Sequence, residues 1–308
     1  MCVALHWMAH VCRSNVWRHA GASEPSEPAN RTRCDGIDEN WTDADAWRCT
    51  LAVSRFIDRG NHLRTGQDSP GSGAWSALAV RQDRGPRWYM ADATRTVRNL
   101  DTGRVAWALA DGIGDDWPAT EAATMAVEAA ARAAGRGGSA YAIAEARKTL
   151  RAWYGGAPRG QSGDCVMVVA TGMDAIVGGG LDIAWAGDCR AYLLRHGDLQ
   201  QLTTDHTLGT KYRASAQQWI RRIAPSKDHI VTSSVHTESP IDTVRVVGTE
   251  PGDRLLLCSD GVHRSLDPGS IASTLRTAPS STCAADGLMR AVRGRARDNA
   301  ILLIAGAY

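Results

Sequence analysis

Three apolar runs, far apart in the chain, each meet a carboxylate at one end. Asp111-Gly112 closes the run 105–110, Asp260-Gly261 closes 255–259, and Asp298-Asn299 opens 300–305. Runs this short and this apolar predict buried strands. In antiparallel neighbours the end of one strand lies beside the start of another, so all three acids can gather at one edge of a sheet. Two bare carboxylates about 4 Å apart repel by roughly 4 kcal/mol at an effective dielectric of about 20, and such a cluster therefore calls for a cation. All-oxygen ligands favour a hard ion such as Mg²⁺ or Mn²⁺.

The rest of the chain is consistent with a sheet protein. Residues 1–50 show no sustained period, and 21–40 have the Ser, Pro, Glu, Asp and Asn content of a linker or tail, so the folded domain is expected over 51–308. The segments CTLAVSRF, WSALAVRQ, RWYMADATR and RVAWALA predict short strands, with Asp101-Thr102-Gly103 as a hairpin turn. A helix follows, capped by Asp116, with Pro118 in its first turn, and ending at Gly135; a second covers 139–154. Strands return as DCVMVVATG, LDIAWAG, RAYLLRHG and DLQQLT, the last two joined at His196-Gly197-Asp198. A helix over 212–223, the strands IDTVRVV and DRLLLCS, a helix around 284–295 and the strand AILLIAGA complete the pattern. Hairpins rather than crossover helices join the strands. The fold class expected is α+β, antiparallel sheets covered by helices, rather than a doubly wound parallel sheet.

Composition excludes several classes. Across 308 residues the hydrophobic share is 44% and the net charge +2, with arginines scattered rather than blocked, so no footprint for nucleic acid is present. No run reaches the roughly 18 apolar residues of a membrane span. The start MCVALHWMAHVC lacks an early basic residue and is interrupted by His6 and His10, which argues against a signal peptide and for the cytoplasm. Of eight cysteines, Cys165, Cys189 and Cys258 sit in apolar runs as small hydrophobes suited to a reducing compartment. Cys2, Cys12, Cys34 and Cys49 lie near His6, His10 and His19 without zinc spacing, as in a thiol-rich tail.

A single Asp-Gly is ordinarily a turn. Directly after an apolar strand, however, it fixes a carboxylate at a rigid edge, and the glycine lets the backbone approach an ion with its carbonyl as a further ligand. The motifs ALADGIGDD, GDCVMVVA, AGDCRAYLLRHGDLQQLTTDH, GDRLLLCSDGV and RDNAILLIA follow one another in this order. Together they resemble the metal-dependent protein serine/threonine phosphatases of the 2C type over about residues 51–308. That resemblance implies an α-β-β-α sandwich of two antiparallel sheets with a two-metal site, for Mg²⁺ or Mn²⁺, at one edge.

Carried across by motif, Asp111 resembles the aspartate that bridges both metals and Gly112 the residue that lends its carbonyl. Asp260 and Asp298 resemble the aspartates that bind the second metal. Asp68 resembles the early acidic residue of the site, and Arg64 a phosphate clamp. The segment Arg64-Thr-Gly-Gln67-Asp68 is one residue shorter than the family's pattern and carries Gly66 in place of Asn. Asp115 adds charge beside the site, as an outer group or a helix-start residue. Asp188 and Arg190 read as structural, Asp188 organising a turn, and His206 as a packed side chain.

The resemblance implies hydrolysis of phosphoserine and phosphothreonine in proteins phosphorylated by a Ser/Thr kinase, by a hydroxide shared between two cations and without a covalent enzyme intermediate. Two alternatives stay open: a catalytically silent phosphatase-like binding module, which Gln67-Asp68 and Asp115 keep alive, and a regulator whose first fifty residues form a metal or redox module. Docking of substrate is expected in loops such as 215–240.

Overall fold

The computed structural model describes residues 75–99, 104–156, 162–173, 179–237 and 239–307. The expected strand at 49–56, the turn at 101–103, Arg64 and Asp68 lie outside the described residues.

Ten strands form two antiparallel sheets. In chain order they are β1 (Trp75–Asp83), β2 (Asp92–Arg98), β3 (Val105–Gly112), β4 (Cys165–Gly172), β5 (Gly180–Ala186), β6 (Arg190–Arg195), β7 (Asp198–Gln201), β8 (Asp242–Val247), β9 (Arg254–Cys258) and β10 (Ala300–Ala307). One sheet runs β1-β10-β9-β6-β7 and the other β2-β3-β4-β5-β8. The helices are α1 (Trp117–Tyr154), α2 (Leu208–Arg213), α3 (Gln218–Ile223), α4 (Asp260–His263), α5 (Pro268–Thr277) and α6 (Ser281–Val292).

Side-chain size along the strands sets the layers. In β3 the alternate residues Val105, Trp107 and Leu109 face the other sheet, while Ala106, Ala108 and Ala110 face α1. Small residues there let the alanine-rich α1 lie close on the sheet, and the large ones fill the space between the sheets. In β10, Ile301 and Leu303 enter the intersheet core, and Leu302 and Ile304 pack under α5 and α6. Every residue of β10 is buried, which is why it reads as an unbroken apolar run. The result is the α-β-β-α sandwich that the sequence led us to expect.

Local chemistry explains most boundaries. Asp116 caps α1 by accepting from Ala119 N, with Pro118 in the first turn. The two expected helices form one element interrupted at Gly138, where φ is 78° and the next turn is re-capped by Asp182 accepting from Ser139 N at 2.8 Å. His196 and Gly197, with φ of 53° and 87°, make the two-residue turn between β6 and β7. The expected helix over 212–223 is instead two short ones, α2 and α3, the first capped by Thr207. Helix α5 has no counterpart in the sequence pattern, and α6 begins three residues before the expected start.

Candidate active site

The ends of β3 and β9 and the starts of β2 and β10 meet at one edge of the sandwich. Asp92 opens β2 and stands directly across from Asp111 in β3. Asp260 stands two residues after the end of β9, and Asp298 two residues before the start of β10. Two hydrogen bonds stitch the sheets together there. Ser259 Oγ donates to Asp92 Oδ2 at 2.7 Å, and Ala91 N donates to Asn299 Oδ1 at 2.7 Å. The Asn299 amide also donates to the carbonyls of Arg84 and Tyr89, which fixes the loop 84–91 against the start of β10.

The glycines after Asp111 and Asp260 are demanded by crowding. A Cβ on Gly112 would stand 2.5 Å from the Ala119 carbonyl oxygen, and one on Gly261 would stand 1.9 Å from that of Asn299. No side chain fits at either position without moving backbone, so both Asp-Gly pairs are set by close approach of neighbouring elements.

The electrostatics are those of a crowded anionic edge. Burial, compounded by Asp92, Asp260, Asp188 and Asp298, holds the Asp111 carboxyl well above the usual range. Asp92 and Asp111, opposite each other in the strand pairing, repel as like charges. Asp92 is pushed up to about 7, chiefly by burial, against the opposing pull of the Ser259 hydroxyl. Burial also raises Asp260, and raises Asp188 to about 7, with Asp260 reinforcing the latter. With the acids ionised, two buried oxygens, Asp92 Oδ1 and Asp260 Oδ1, have no hydrogen-bond partner. An unpaired buried carboxylate oxygen is costly, and oxygen-only donors at such a place suit a hard divalent cation.

Arginines supply the positive charge within the chain. Arg264 bridges Asp188 at 2.8 Å and Asp260 at 2.9 Å, and Arg87 pairs with Asp298. Among the described residues, no three carboxylate, imidazole or thiolate groups stand in ligating positions around one point. The acids are thus gathered at one edge and partly neutralised by guanidinium groups.

Of the residues singled out by sequence, Asp111, Asp260 and Asp298 come together with Gly112 at this edge. Asp115 accepts from the amides of Trp88 and Tyr89 and so shapes the loop that carries Arg87. Asp188 is buried beside the cluster and held by Arg264, a closer involvement than the turn role anticipated for it. Arg190 forks onto Asp205 at 2.7 and 2.8 Å, as a structural arginine does. His206 stacks on Trp185, accepts from Gly187 N and bonds Asp242, which fits the packed role expected. Sequence reasoning missed Asp92 and Arg87, whose places follow from strand register and from the tie to Asn299.

His263 gives a stability signature of its own. Its Nε2 donates to the Asp188 carbonyl at 3.0 Å and its Nδ1 is buried without a partner. Burial pushes its pKa down to about 3. The unfolded imidazole takes a proton near pH 6.5, so this neutral side chain contributes stability fully above that pH and loses it as pH falls toward 3. Replacing His263 with Gln is expected to flatten the acid limb by about 1–3 kcal/mol at pH 4, read as the difference between variant and parent urea unfolding curves across pH.

This fold and edge define a class: a two-sheet sandwich that presents a carboxylate cluster where strands from both sheets end. Residues 89–293 match the family described as protein phosphatase 2C. The chain belongs to that family. A putative protein phosphatase of Mycoplasma pneumoniae is 31% identical over 144 residues, 44% of this chain and 54% of that protein. The serine/threonine protein phosphatase PstP of Mycobacterium tuberculosis is 28% identical over 134 residues, 42% of this chain and 25% of that protein. The chain therefore spans about half or less of the curated relatives it matches. Among solved structures, the catalytic domain of PstP in complex with two manganese ions superposes with a TM-score of 0.63 at 25% identity, covering 75% of this chain and 97% of that one. PppA of Pseudomonas aeruginosa, described as a key regulatory component of T6SS, shares the fold, with a TM-score of 0.63 at 22% identity over 77% of this chain and all of that one (100%).

Proposed function

We propose that this chain hydrolyses phosphoserine and phosphothreonine esters in proteins, the products of a Ser/Thr kinase, with two Mg²⁺ or Mn²⁺ ions as cofactors. The observation that carries the reading is the meeting of Asp92, Asp111, Asp260 and Asp298 at one edge, two of them with unpartnered buried oxygens. The two manganese ions named for the PstP catalytic domain support it. Asp111, the Gly112 carbonyl, Asp260 and Asp298 would hold the cations. Asp92 and Asp68 compete for the place of the early acidic residue. Bound there, the cations would supply Lewis acidity toward the phosphoryl oxygens and would lower the pKa of a bound water.

The remaining work falls to the chain. Ser259 orients Asp92, Arg264 orients Asp260, and Asn299 locks the loop 84–91 so that the edge keeps its shape. Arg87 is partly exposed on that loop, and its planar fork suits two phosphoryl oxygens, the part that sequence reasoning gave to Arg64. No helix among the described residues is long and apolar enough to cross a membrane.

The silent-module alternative draws on the ion pairs Arg87–Asp298 and Arg264–Asp260, through which the chain neutralises part of its own cluster. Phosphate release from a phosphothreonine peptide decides between them. Release that requires Mn²⁺, stops with EDTA and returns on adding the metal back is the expected result; no release with any divalent ion favours the silent module.

A further inference from the structure

Between β7 and β8 the chain makes an excursion over 208–230, which carries α2, α3 and the 3₁₀ turn Ala224–Lys227. Its neck is tied by Leu208 N to Ile230 O at 2.8 Å, by Thr232 N to His206 O at 2.7 Å and by a bridge between Thr207 and Val231. Within it stand five basic residues, Lys211, Arg213, Arg221, Arg222 and Lys227, against a single acid, Asp228. Asp228 is taken by Arg213. Among the described residues the other four basic side chains have no acidic partner. Helix α3 buries none of its residues, and Trp219 on it is 64% exposed.

This cationic, aromatic surface is joined to the acidic edge through one side chain. Arg264, which holds Asp260 and Asp188, also donates to the Asp228 carbonyl at 2.8 Å. A cleft of about 450 Å³ lies at the junction, lined by Arg190, Thr210, Arg213, Asp228, His263 and Arg264. A peptide with its phosphorylated residue at the carboxylate edge would lay its neighbouring residues over this cleft and the excursion.

Resting on the phosphatase reading, we propose that the excursion 208–230 docks the acidic flank of the substrate, so that the chain prefers phosphoserine and phosphothreonine set among aspartates and glutamates. Charge complementarity supplies the preference: Lys211 and Arg222 face solvent unpaired and meet the acidic residues, while Trp219 gives a rigid apolar platform for the peptide stem. The continuity of the cleft with the Arg264 junction favours a peptide over an anionic lipid surface.

The test uses the full chain loaded with Mn²⁺ and three substrates: a phosphothreonine peptide flanked by Asp and Glu, the same peptide flanked by Asn and Gln, and p-nitrophenyl phosphate. The acidic peptide is expected to show a KM lower by about five- to tenfold at low salt, a gap that shrinks as salt rises. In the double variant Lys211→Glu, Arg222→Glu that gap should vanish while turnover of p-nitrophenyl phosphate stays at the parent level. Equal KM for the two peptides in a parent that turns over p-nitrophenyl phosphate overturns the proposal, as does a double variant that keeps the preference. Tighter binding of phosphatidylserine vesicles than of the acidic peptide, measured by co-sedimentation and anisotropy, overturns it in favour of a membrane. Should p-nitrophenyl phosphate go unhydrolysed, the phosphatase reading fails, and anisotropy with the two labelled peptides still decides docking: tighter binding of the acidic one supports it, equal binding refutes it.

Discussion

Asparagine in place of Asp111 is expected to lower Mn²⁺-dependent phosphate release by about 10³-fold or more while leaving the metal-free protein at least as stable as the parent. The two halves of that expectation come from one fact. Asp111 is buried among Asp92, Asp260, Asp188 and Asp298, and burial with like charge raises its pKa well above that of a free carboxyl. An acid whose folded pKa is raised contributes most to stability at low pH, and the contribution falls away as pH climbs from the unfolded value near 4 through the folded one. Above that range the ionised group is a cost that only a cation offsets. In Asp111→Asn the amide keeps the shape, removes the charge and with it the cost, and forfeits the ligand. Thermal melts at pH 8 with and without Mn²⁺, run beside the activity assay, read both halves. A variant that loses activity only by unfolding, or one that keeps both activity and the metal-induced rise in Tm, would remove Asp111 from the site.

How much of this was visible in the chain follows from which surfaces are covered. β3, β4, β9 and β10 are buried on both faces, so they stand out as apolar runs, and the carboxylates at their ends stand out with them. The break in α1 was legible because Gly135, Gly137 and Gly138 interrupt an alanine-rich helix. Helix α5 buries only Ile271 and Leu275, too thin a stripe to read as a period, although Asp267 and Pro268 mark its start. The helix expected over 212–223 ran together α2 and α3, because nothing apolar separates two elements that bury only Gly209 between them. At the site the division is the same. Asp111, Asp260 and Asp298 were found by their runs, whereas Asp92 opens an edge strand with a partly exposed face, DATRTVR, after a loop shaped by Asn299 and Asp115 from far along the chain. No local pattern encodes bonds of that range.

Asp92 and Asp68 therefore give the sharpest comparison the chain offers. Sequence resemblance assigned the early acidic position to Asp68, in a shortened and altered motif. Strand register instead puts Asp92 opposite Asp111, with one oxygen on Ser259 Oγ and the other buried and unpartnered. If the register names the right acid, Asp92→Asn will lower metal-dependent turnover by about 10²- to 10³-fold, because the amide keeps an acceptor for Ser259 and loses the anionic donor. Asp92→Ala will go further and also destabilise the fold by about 1–3 kcal/mol, since the Ser259 hydroxyl is left buried without its acceptor. Asp68→Asn will then change turnover by less than about threefold, within the range of a residue that does not touch the reacting atoms. The reverse pattern, a silent Asp92→Asn and a crippled Asp68→Asn, would return the assignment to the motif and leave Asp92 as a strand-opening residue whose charge is tolerated rather than used. Titrating Mn²⁺ by calorimetry on the same variants separates lost ligation from lost geometry, because only a ligand's removal weakens binding without altering the parent's circular dichroism.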